Sequence, residues 1–179
     1  STIEFDGVDD YLKSPLKIQD SSMYVFLMYE LVSASNSTLL FGNYQTSTTA
    51  FMGLTTGASG KLAFVMRGSN GYEPSSLSSD VVKGDGKYHL FGAGFFKSDN
   101  SREIRIDGAR QIQENLETLN PNSGQETIIG SGHLNRFVKG RLKEVIYFEN
   151  ALSSEQIVRL QAYLAEKWNL GGDVDSDGD

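Results

Sequence analysis

The sequence lacks features on which whole classes of protein depend. It contains no cysteine, which excludes a disulfide framework and thiol chemistry. No apolar run is long enough to cross a membrane, and no basic segment leading into an apolar stretch marks a signal peptide. Because the chain opens directly in a predicted strand, we expect a domain of a longer protein, whose missing targeting signals do not argue against secretion.

Positive charge is also scarce and scattered. The chain carries 16 Lys and Arg against 23 Asp and Glu, for a formal net charge of −7. Asp173, Asp175, Asp177 and Asp179 supply four of these negative charges at the end of the chain, which leaves about −3 for the rest. Nucleic acid requires clustered Lys and Arg, so we predict no nucleic-acid partner and no membrane insertion.

The first 150 residues have the pattern of an all-β protein. Short runs rich in Val, Ile, Phe, Tyr and Leu are separated by Gly, Ser and Asn. Asp107-Gly108, inside "EIRIDGARQI", predicts a hairpin turn that needs positive φ at both positions, and Gly7 in "FDGV" predicts a similar turn. We predict strands near residues 2–5, 10–13, 23–31, 37–43, 50–55, 61–67, 87–96, 102–106, 109–113, 126–130 and 140–148.

Residues 153–170 change to the period of a helix. Ile157, Leu160, Leu164 and Trp168 form one apolar stripe. Ser153 and Gln156 have capping-box spacing, and Gly171-Gly172 is the predicted end of the helix. The stripe must be buried against a sheet, so a packing role for Trp168 is favoured over a sugar-stacking role. The predicted fold is a two-sheet antiparallel jelly-roll sandwich with one C-terminal α-helix.

An ordered set of motifs resembles one known family. "FDGVDDYL", "MYVFLMYEL", "STLLFGN", "GKLAFVMRG", "GDGKYHLFGAGF", "IRIDGARQ" and the segment from "IIGSGHLNRF" to the predicted helix are similar, in this order, to laminin-G-like domains of the concanavalin A-like jelly-roll superfamily. The resemblance covers residues 2–170. It implies one domain over 1–170, followed at 171–179 by an acidic linker that resembles the start of a calcium-binding repeat.

The resemblance alone does not choose a function, because this superfamily includes lectins, carbohydrate-binding modules, adhesion domains, pentraxin-like proteins and glycan-degrading enzymes. The Arg-x-Glu and Gln-x-His strands of alginate-lyase-like jelly rolls do not occur. His89, in "KYHLF", is interpreted as a hydrogen-bonded structural residue, and His133 has no evident nucleophile partner. We predict no catalytic residue and no enzyme activity; a glycoside hydrolase or polysaccharide lyase is the second alternative.

Three loops combine an aromatic ring with planar polar side chains, the mixture that sugar binding uses. They are "FGNYQTST", "MRGSNGYEP" and "GSGHLNRF". The alternative is that these are ordinary solvated loop residues. The candidate ligand-binding residues are Asn43, Tyr44, Arg67, Asn70, Tyr72, His133, Asn135, Arg136 and Phe137.

Calcium is a possible cofactor at two places. Asp9 and Asp10 follow the first strand, where capping of turn amides is favoured over metal binding. In the tail, "DVDSDGD" places Asp173, Asp175 and Asp177 at the alternate positions of an EF-hand-type loop, with Asp179 after Gly178. The tail therefore predicts weak metal binding and calcium-rich, extracellular surroundings.

The sequence as a whole predicts a non-catalytic carbohydrate-binding or adhesion module of a larger protein, secreted or on the cell surface and of bacterial type. Its partners are a glycan or polysaccharide and the neighbouring domains of the parent chain. The first alternative is a structural spacer or protein-docking domain that binds no glycan.

Overall fold

The predicted class, all-β with one C-terminal helix, is confirmed. A computed structural model describes residues 1–18, 21–34, 38–43, 51–57, 60–68, 71–81, 84–116, 124–132 and 136–170, with backbone alone over most of 71–81. Each of the eleven predicted strands corresponds to an observed strand. The elements are β1 (Ile3–Asp6), β2 (Leu12–Lys17), β3 (Met23–Ser33), β4 (Leu39–Gly42), β5 (Phe51–Thr56), β6 (Lys61–Gly68), β7 (Gly71–Val81), β8 (His89–Phe96), β9 (Ser101–Ile106), β10 (Ala109–Asn115), β11 (Glu126–Ile129), β12 (Ser131–Gly132), β13 (Arg136–Phe137), β14 (Lys139–Phe148) and α1 (Ser154–Trp168).

Two six-stranded antiparallel sheets form the sandwich. Sheet I has the order β1-β14-β3-β8-β9-β10, and sheet II has the order β2-β11-β4-β5-β6-β7. The short strands β12 and β13 pair with each other. Because β1 and β14 come from opposite ends of the chain, their pairing closes the domain and brings residues 3–6 beside residues 139–142.

The main core lies between the sheets. On β3, Val25, Leu27 and Leu31 face it, and they pack with residues of sheet II such as Leu54 and Phe64. The alternate residues of β3 form a second apolar layer on the outer face of sheet I. β3 is therefore buried on both faces, which explains its continuous apolar run "MYVFLMYEL".

Helix α1 covers that outer layer, as its apolar stripe predicts. Ile157 and Leu164 are buried against Tyr24, Phe26 and Met28, with Leu160 and Trp168 partly buried around them. Each fully buried aliphatic side chain of this kind contributes about 1.5–3 kcal/mol. Trp168 also donates from Nε1 to Glu144 Oε2 at 2.6 Å, in keeping with the predicted packing role.

The predicted helix start is confirmed and the predicted end is wrong. Ser153 and Gln156 form a complete capping box. At the other end the helix stops at Trp168, because Asn169 takes the left-handed conformation (φ 51°) and its N–H bonds back to the last turn. Asparagine tolerates this conformation better than most residues, so the helix ends before Gly171.

Strand β7 was not predicted. The "MRGSNGYEP" segment was interpreted as a loop, whereas β7 begins at Gly71 and pairs with β6 through Arg67 and Tyr72. Its sequence, "GYEPSSLSSDV", is rich in Ser and contains Pro74. Because these residues have low strand propensity, the sequence does not predict a strand here. The position resolves the conflict, because β7 is the edge of sheet II, where proline is tolerated.

A buried polar cluster lies on the outer face of sheet I. Glu103 and Arg105 share this face, and both are fully buried. The Tyr24 hydroxyl donates to Glu103 Oε1 at 2.8 Å, and Arg105 Nε donates to the same oxygen at 3.1 Å. Burial, reinforced by the charge of Glu103, raises the pKa of Tyr24 well above its usual range. Gly94 makes room for the cluster, since a Cβ there would lie 2.6 Å from the Tyr24 ring.

Candidate functional site

A groove of about 480 Å³ opens at one end of sheet I. We call it the rim groove. Val32 gives it exposed apolar surface, whereas Phe5 is 3% exposed. Carboxylates of β1 lie opposite basic residues of β14. Its lining residues are Glu4, Phe5, Asp6, Asp10, Val32, Lys139, Gly140 and Arg141.

A second groove of about 420 Å³ adjoins the first, and we call it the side groove. The two grooves share Asp6 and Lys139. Phe137 lines the side groove with Gly7, Ser33 and Ala34. Through these shared residues the two grooves adjoin on one face of the molecule, with apolar side chains of Val32 and Phe137 near polar groups.

Strand register explains why these residues meet. Asp6 is the cross-strand partner of Lys139, and Lys139 is in turn the partner of Ser33 on β3. The ends of β1 and β3 therefore converge on the beginning of β14. Gly7 then turns the chain with φ of 85°, and a Cβ there would lie 3.0 Å from Cβ of Lys139. Glycine at this position preserves both the turn and the opening of the side groove.

The first acid cluster caps its own turn. Asp10 Oδ2 accepts the N–H of Asp6 at 3.0 Å, and Asp6 Oδ1 accepts the N–H of Val8 at 2.7 Å. This confirms the turn-capping interpretation for Asp10. Carboxylate oxygens of Asp6, Asp9 and Asp10 all lie within 4.8 Å of one another, and the three residues are exposed. Among the described residues they are the group of three carboxylates close enough together to hold a cation, although Ca²⁺ takes about 6–8 oxygen ligands.

Glu4 and Asp6 form a carboxylate pair that the sequence analysis missed. They are two residues apart on β1, so both point to the same side of the strand, and both line the rim groove. Retaining glycosidases on related jelly rolls carry two carboxylates in this Glu-x-Asp pattern. Here both residues are exposed, and Asp6 already accepts a backbone hydrogen bond.

The two basic residues of the rim groove differ in their surroundings. Arg141 Nη2 lies 2.5 Å from Oε2 of Glu30, whose side chain is 5% exposed. The hydrogen bond and charge of Glu30 raise the pKa of Arg141. Lys139 is exposed and has no ion-pair partner within the described parts of the chain. Its ammonium is therefore the basic group of the groove most available to a ligand.

The structure separates the predicted ligand-binding residues that it describes. Phe137 lines the side groove, and Arg136 is half-buried next to it on β13. Asn43 is fully buried, and its Oδ1 accepts the N–H of Met52 at 2.7 Å. That bond joins the end of β4 to β5, so the side chain presents no surface to a ligand. Arg67 is half-buried on β6 and lines neither groove.

The remaining predicted residues cannot be placed. Tyr72 lies on β7, where the backbone alone is described. The others lie outside the described residues: Tyr44, Asn70, His133, Asn135 and the tail acids Asp173, Asp175, Asp177 and Asp179. Their predicted roles in ligand and metal binding stay predictions.

The comparisons with known proteins find structural likeness without sequence likeness. No protein-family model matches the chain, and no curated protein matches it. Among solved structures, the carbohydrate-binding module CBM40 of the Ruminococcus gnavus IT-sialidase, bound to α2,3-sialyllactose, superposes with a TM-score of 0.68 at 11% identity. That match covers 90% of this chain and 98% of the module.

Two larger proteins contain a similar domain. Domains LG4-5 of the mouse laminin α1 chain match with a TM-score of 0.67 at 14% identity, over 86% of this chain and 43% of theirs. The NanB sialidase of Streptococcus pneumoniae matches with a TM-score of 0.69 at 16% identity, over 88% of this chain but 27% of the sialidase. The chain therefore has the lectin-like jelly-roll fold of laminin-G-like domains, as the sequence resemblance implied.

Proposed function

We propose that this chain is a non-catalytic glycan-binding module and that it binds through the rim and side grooves. The observation that carries the proposal is the pair of adjoining grooves, in which the apolar side chains of Phe137 and Val32 lie near Asp6, Asp10 and Lys139. Sugar rings need apolar surface for their C–H faces and hydrogen-bonding groups for their hydroxyls, and this surface offers both.

The structural neighbours support the same proposal. The R. gnavus module matches 90% of this chain over almost its own full length, and it binds sialyllactose. By analogy of fold, the chain would be an accessory or adhesion module of a larger protein, beside other domains. We propose a secreted or cell-surface location and a bacterial source. Within the described residues, no helix has the length and apolar character needed to cross a membrane.

The proposal is tested by a glycan and polysaccharide array probed with the whole chain, followed by affinity measurements on the best ligand. Phe137→Ala should weaken binding at least tenfold, because it removes the aromatic surface of the side groove. The matched control is Tyr163→Ala, which removes an aromatic residue that is 52% exposed on α1, outside both grooves. Equal affinity of both variants and the wild type would remove the grooves from the proposal.

Calcium enters the same experiment as a variable. We propose that a cation, if the domain body uses one, is held by Asp6, Asp9 and Asp10, and that the tail acids form a separate weak site. Each array is run with calcium and again with chelator. Loss of binding with chelator, reproduced by Asp9→Asn, would support the first site. Binding that is unchanged by chelator would assign recognition to the side chains alone.

Glycan hydrolysis is the second candidate, and the placement of Glu4 and Asp6 in the rim groove favours it. The glycans that bind are incubated with the chain and assayed for released reducing ends. Release that Glu4→Gln abolishes would replace the binding-module proposal with an enzyme. Binding without release supports the module, and no binding to any glycan supports a structural or protein-docking role instead.

A further inference from the structure

His89, at the start of β8, lies between two carboxylates. Its Nδ1 is 2.5 Å from Oδ2 of Asp107, and its Nε2 is 2.7 Å from Oδ2 of Asp85. A neutral imidazole has one N–H donor and one acceptor nitrogen, and an ionised carboxylate only accepts. Both contacts are hydrogen bonds at once only when the ring is an imidazolium. The His89 side chain is 12% exposed; its contact with Asp107 is part-buried, and its contact with Asp85 lies at the surface.

The two carboxylates belong to different loops. Asp107 is the first residue of the β9–β10 hairpin turn, where its φ is 50°. Its Oδ1 accepts the N–H of Leu90 at 2.8 Å. Asp85 belongs to the segment 84–87, where its Oδ1 accepts the N–H of Lys87 at 3.0 Å. That segment is fixed to the end of β3, since Gly84 N–H donates to Leu31 O at 2.8 Å.

We propose that protonated His89 is a pH-sensitive clasp that holds the β9–β10 turn and the segment 84–87 together against the end of sheet I. Loss of one proton removes one of the two hydrogen bonds and leaves a neutral ring between two negative carboxylates. Val32, which follows Leu31, lines the rim groove, so the clasp also holds a segment that is hydrogen-bonded to β3 next to that groove.

The groups around His89 favour the charged ring. Among the described residues, its titratable neighbours are Asp85 and Lys87 from the loop, Asp107 from the hairpin and Tyr29, its cross-strand partner on β3. Burial opposes the charge, but the bonds and charges of Asp107 and then Asp85 outweigh it, so the pKa of His89 is raised above 6.5. The pKa of Asp85 is lowered from 3.8; its burial acts in the opposite sense, but the bonds from Lys87 and His89 prevail.

The direction of the pH response follows from these shifts. A raised histidine pKa adds stability that is fully present below the unfolded value, about 6.5, and is lost as pH rises through the folded value. A lowered Asp85 pKa adds stability above about 3.9 that is lost as pH falls through its folded value. The clasp is therefore closed between the lowered pKa of Asp85 and the raised pKa of His89, and it opens as pH rises through the pKa of His89.

Histidine-ring ¹H–¹⁵N NMR tests the proposal. The chain has two histidines, so His133→Gln leaves His89 as the single ring signal. We expect both ring nitrogens to be protonated at pH 6.5, a titration midpoint above that value, and amide shifts of Gly84 and Gly108 with the same midpoint. Asp85→Asn, a change at an exposed loop residue, should move the midpoint downward while the chain stays folded.

Three results would overturn the clasp. The first is a His89 midpoint at or below 6.5, or a single protonated ring nitrogen at that pH. The second is a ring that titrates alone, with the Gly84 and Gly108 amides unchanged through its midpoint. If Asp85→Asn leaves the midpoint unmoved, the bond between the ring and the loop is likewise excluded.

Discussion

Two of the three described Asp-Gly pairs, Asp6-Gly7 and Asp107-Gly108, share a local turn structure and differ in almost everything around it. Gly7 and Gly108 have φ of 85° and 88°, and each preceding aspartate accepts a backbone N–H, from Val8 and Leu90 respectively. Asp6, however, is exposed beside two more acids and lines a groove. Asp107 is half-buried against His89, and the carbonyl of Gly108 accepts from the buried Arg105 at 3.1 Å.

The Asp-Gly dipeptide determines the turn in both places, whereas the surrounding residues determine the role of the aspartate. Where the turn packs against buried charges, the aspartate is part of the fold. Where the turn lies at an open edge of the sheet, the aspartate keeps one face toward solvent and can meet a ligand. Substitutions at the hairpin end should therefore reduce stability, and substitutions at the rim groove should mainly reduce binding.

The largest expected loss of stability is at Glu103, on the β9–β10 hairpin whose turn contains Asp107. Glu103→Ala leaves Arg105 buried without its carboxylate and leaves the Tyr24 hydroxyl without an acceptor. Loss of one partner from a buried pair costs about 3–5 kcal/mol. Urea unfolding measures this loss, with the exposed Glu4→Ala as control, expected within about 0.5 kcal/mol of wild type. Similar losses in both variants would contradict the distinction between the two regions.

The two turns themselves give the next largest difference. Asp107→Ala removes the acceptor for Leu90 N–H and the partner of His89, and hydrogen bonds to charged groups contribute about 1.5–3 kcal/mol. Asp6→Ala removes one exposed bond to Val8 and should cost clearly less. Thermal and urea unfolding of the two variants measure both losses of stability. A loss in Asp6→Ala equal to or greater than that in Asp107→Ala would contradict the expected difference between the two turns.

The smallest of the three effects is a dependence on pH that only the hairpin end should show. The difference in free energy of unfolding between wild type and His89→Gln should be greatest near pH 6 and should shrink as pH rises, because the raised pKa of His89 is crossed. Urea titrations at pH 6 and pH 9 measure it, with Asp6→Ala as a variant whose difference from wild type should stay constant. A difference in free energy of unfolding that grows with pH would contradict the predicted direction of the pH dependence.

Most of the fold follows from local sequence patterns. Alternation and turn residues gave the positions of eleven strands, and the stripe with its Ser153 cap gave the helix. The exceptions have local causes. Pro74 and the serines of β7 are disfavoured in a strand interior but acceptable at a sheet edge, and Asn169 substitutes for glycine at the end of the helix.

The candidate site is much harder to predict. Asp6 and Lys139 are far apart in sequence, and they become neighbours only through the β1–β14 register. Phe137, which lines the side groove, was selected because its loop mixes aromatic and polar residues, but the same criterion also selected Asn43, which the structure buries between strands. Composition of a loop does not show which side chains reach the surface, and pairing between the two ends of the chain leaves no local signal.

The central claim is that a glycan binds at the rim and side grooves, and NMR mapping tests it most directly. The best glycan from the array is titrated into the ¹⁵N-labelled chain. We predict that the largest amide shifts fall at residues 4–10, 32–34 and 137–141, while Asp107 and Gly108 stay unchanged. Shifts centred on Arg67 and Tyr72, or on the outer face of helix α1, would contradict the claim.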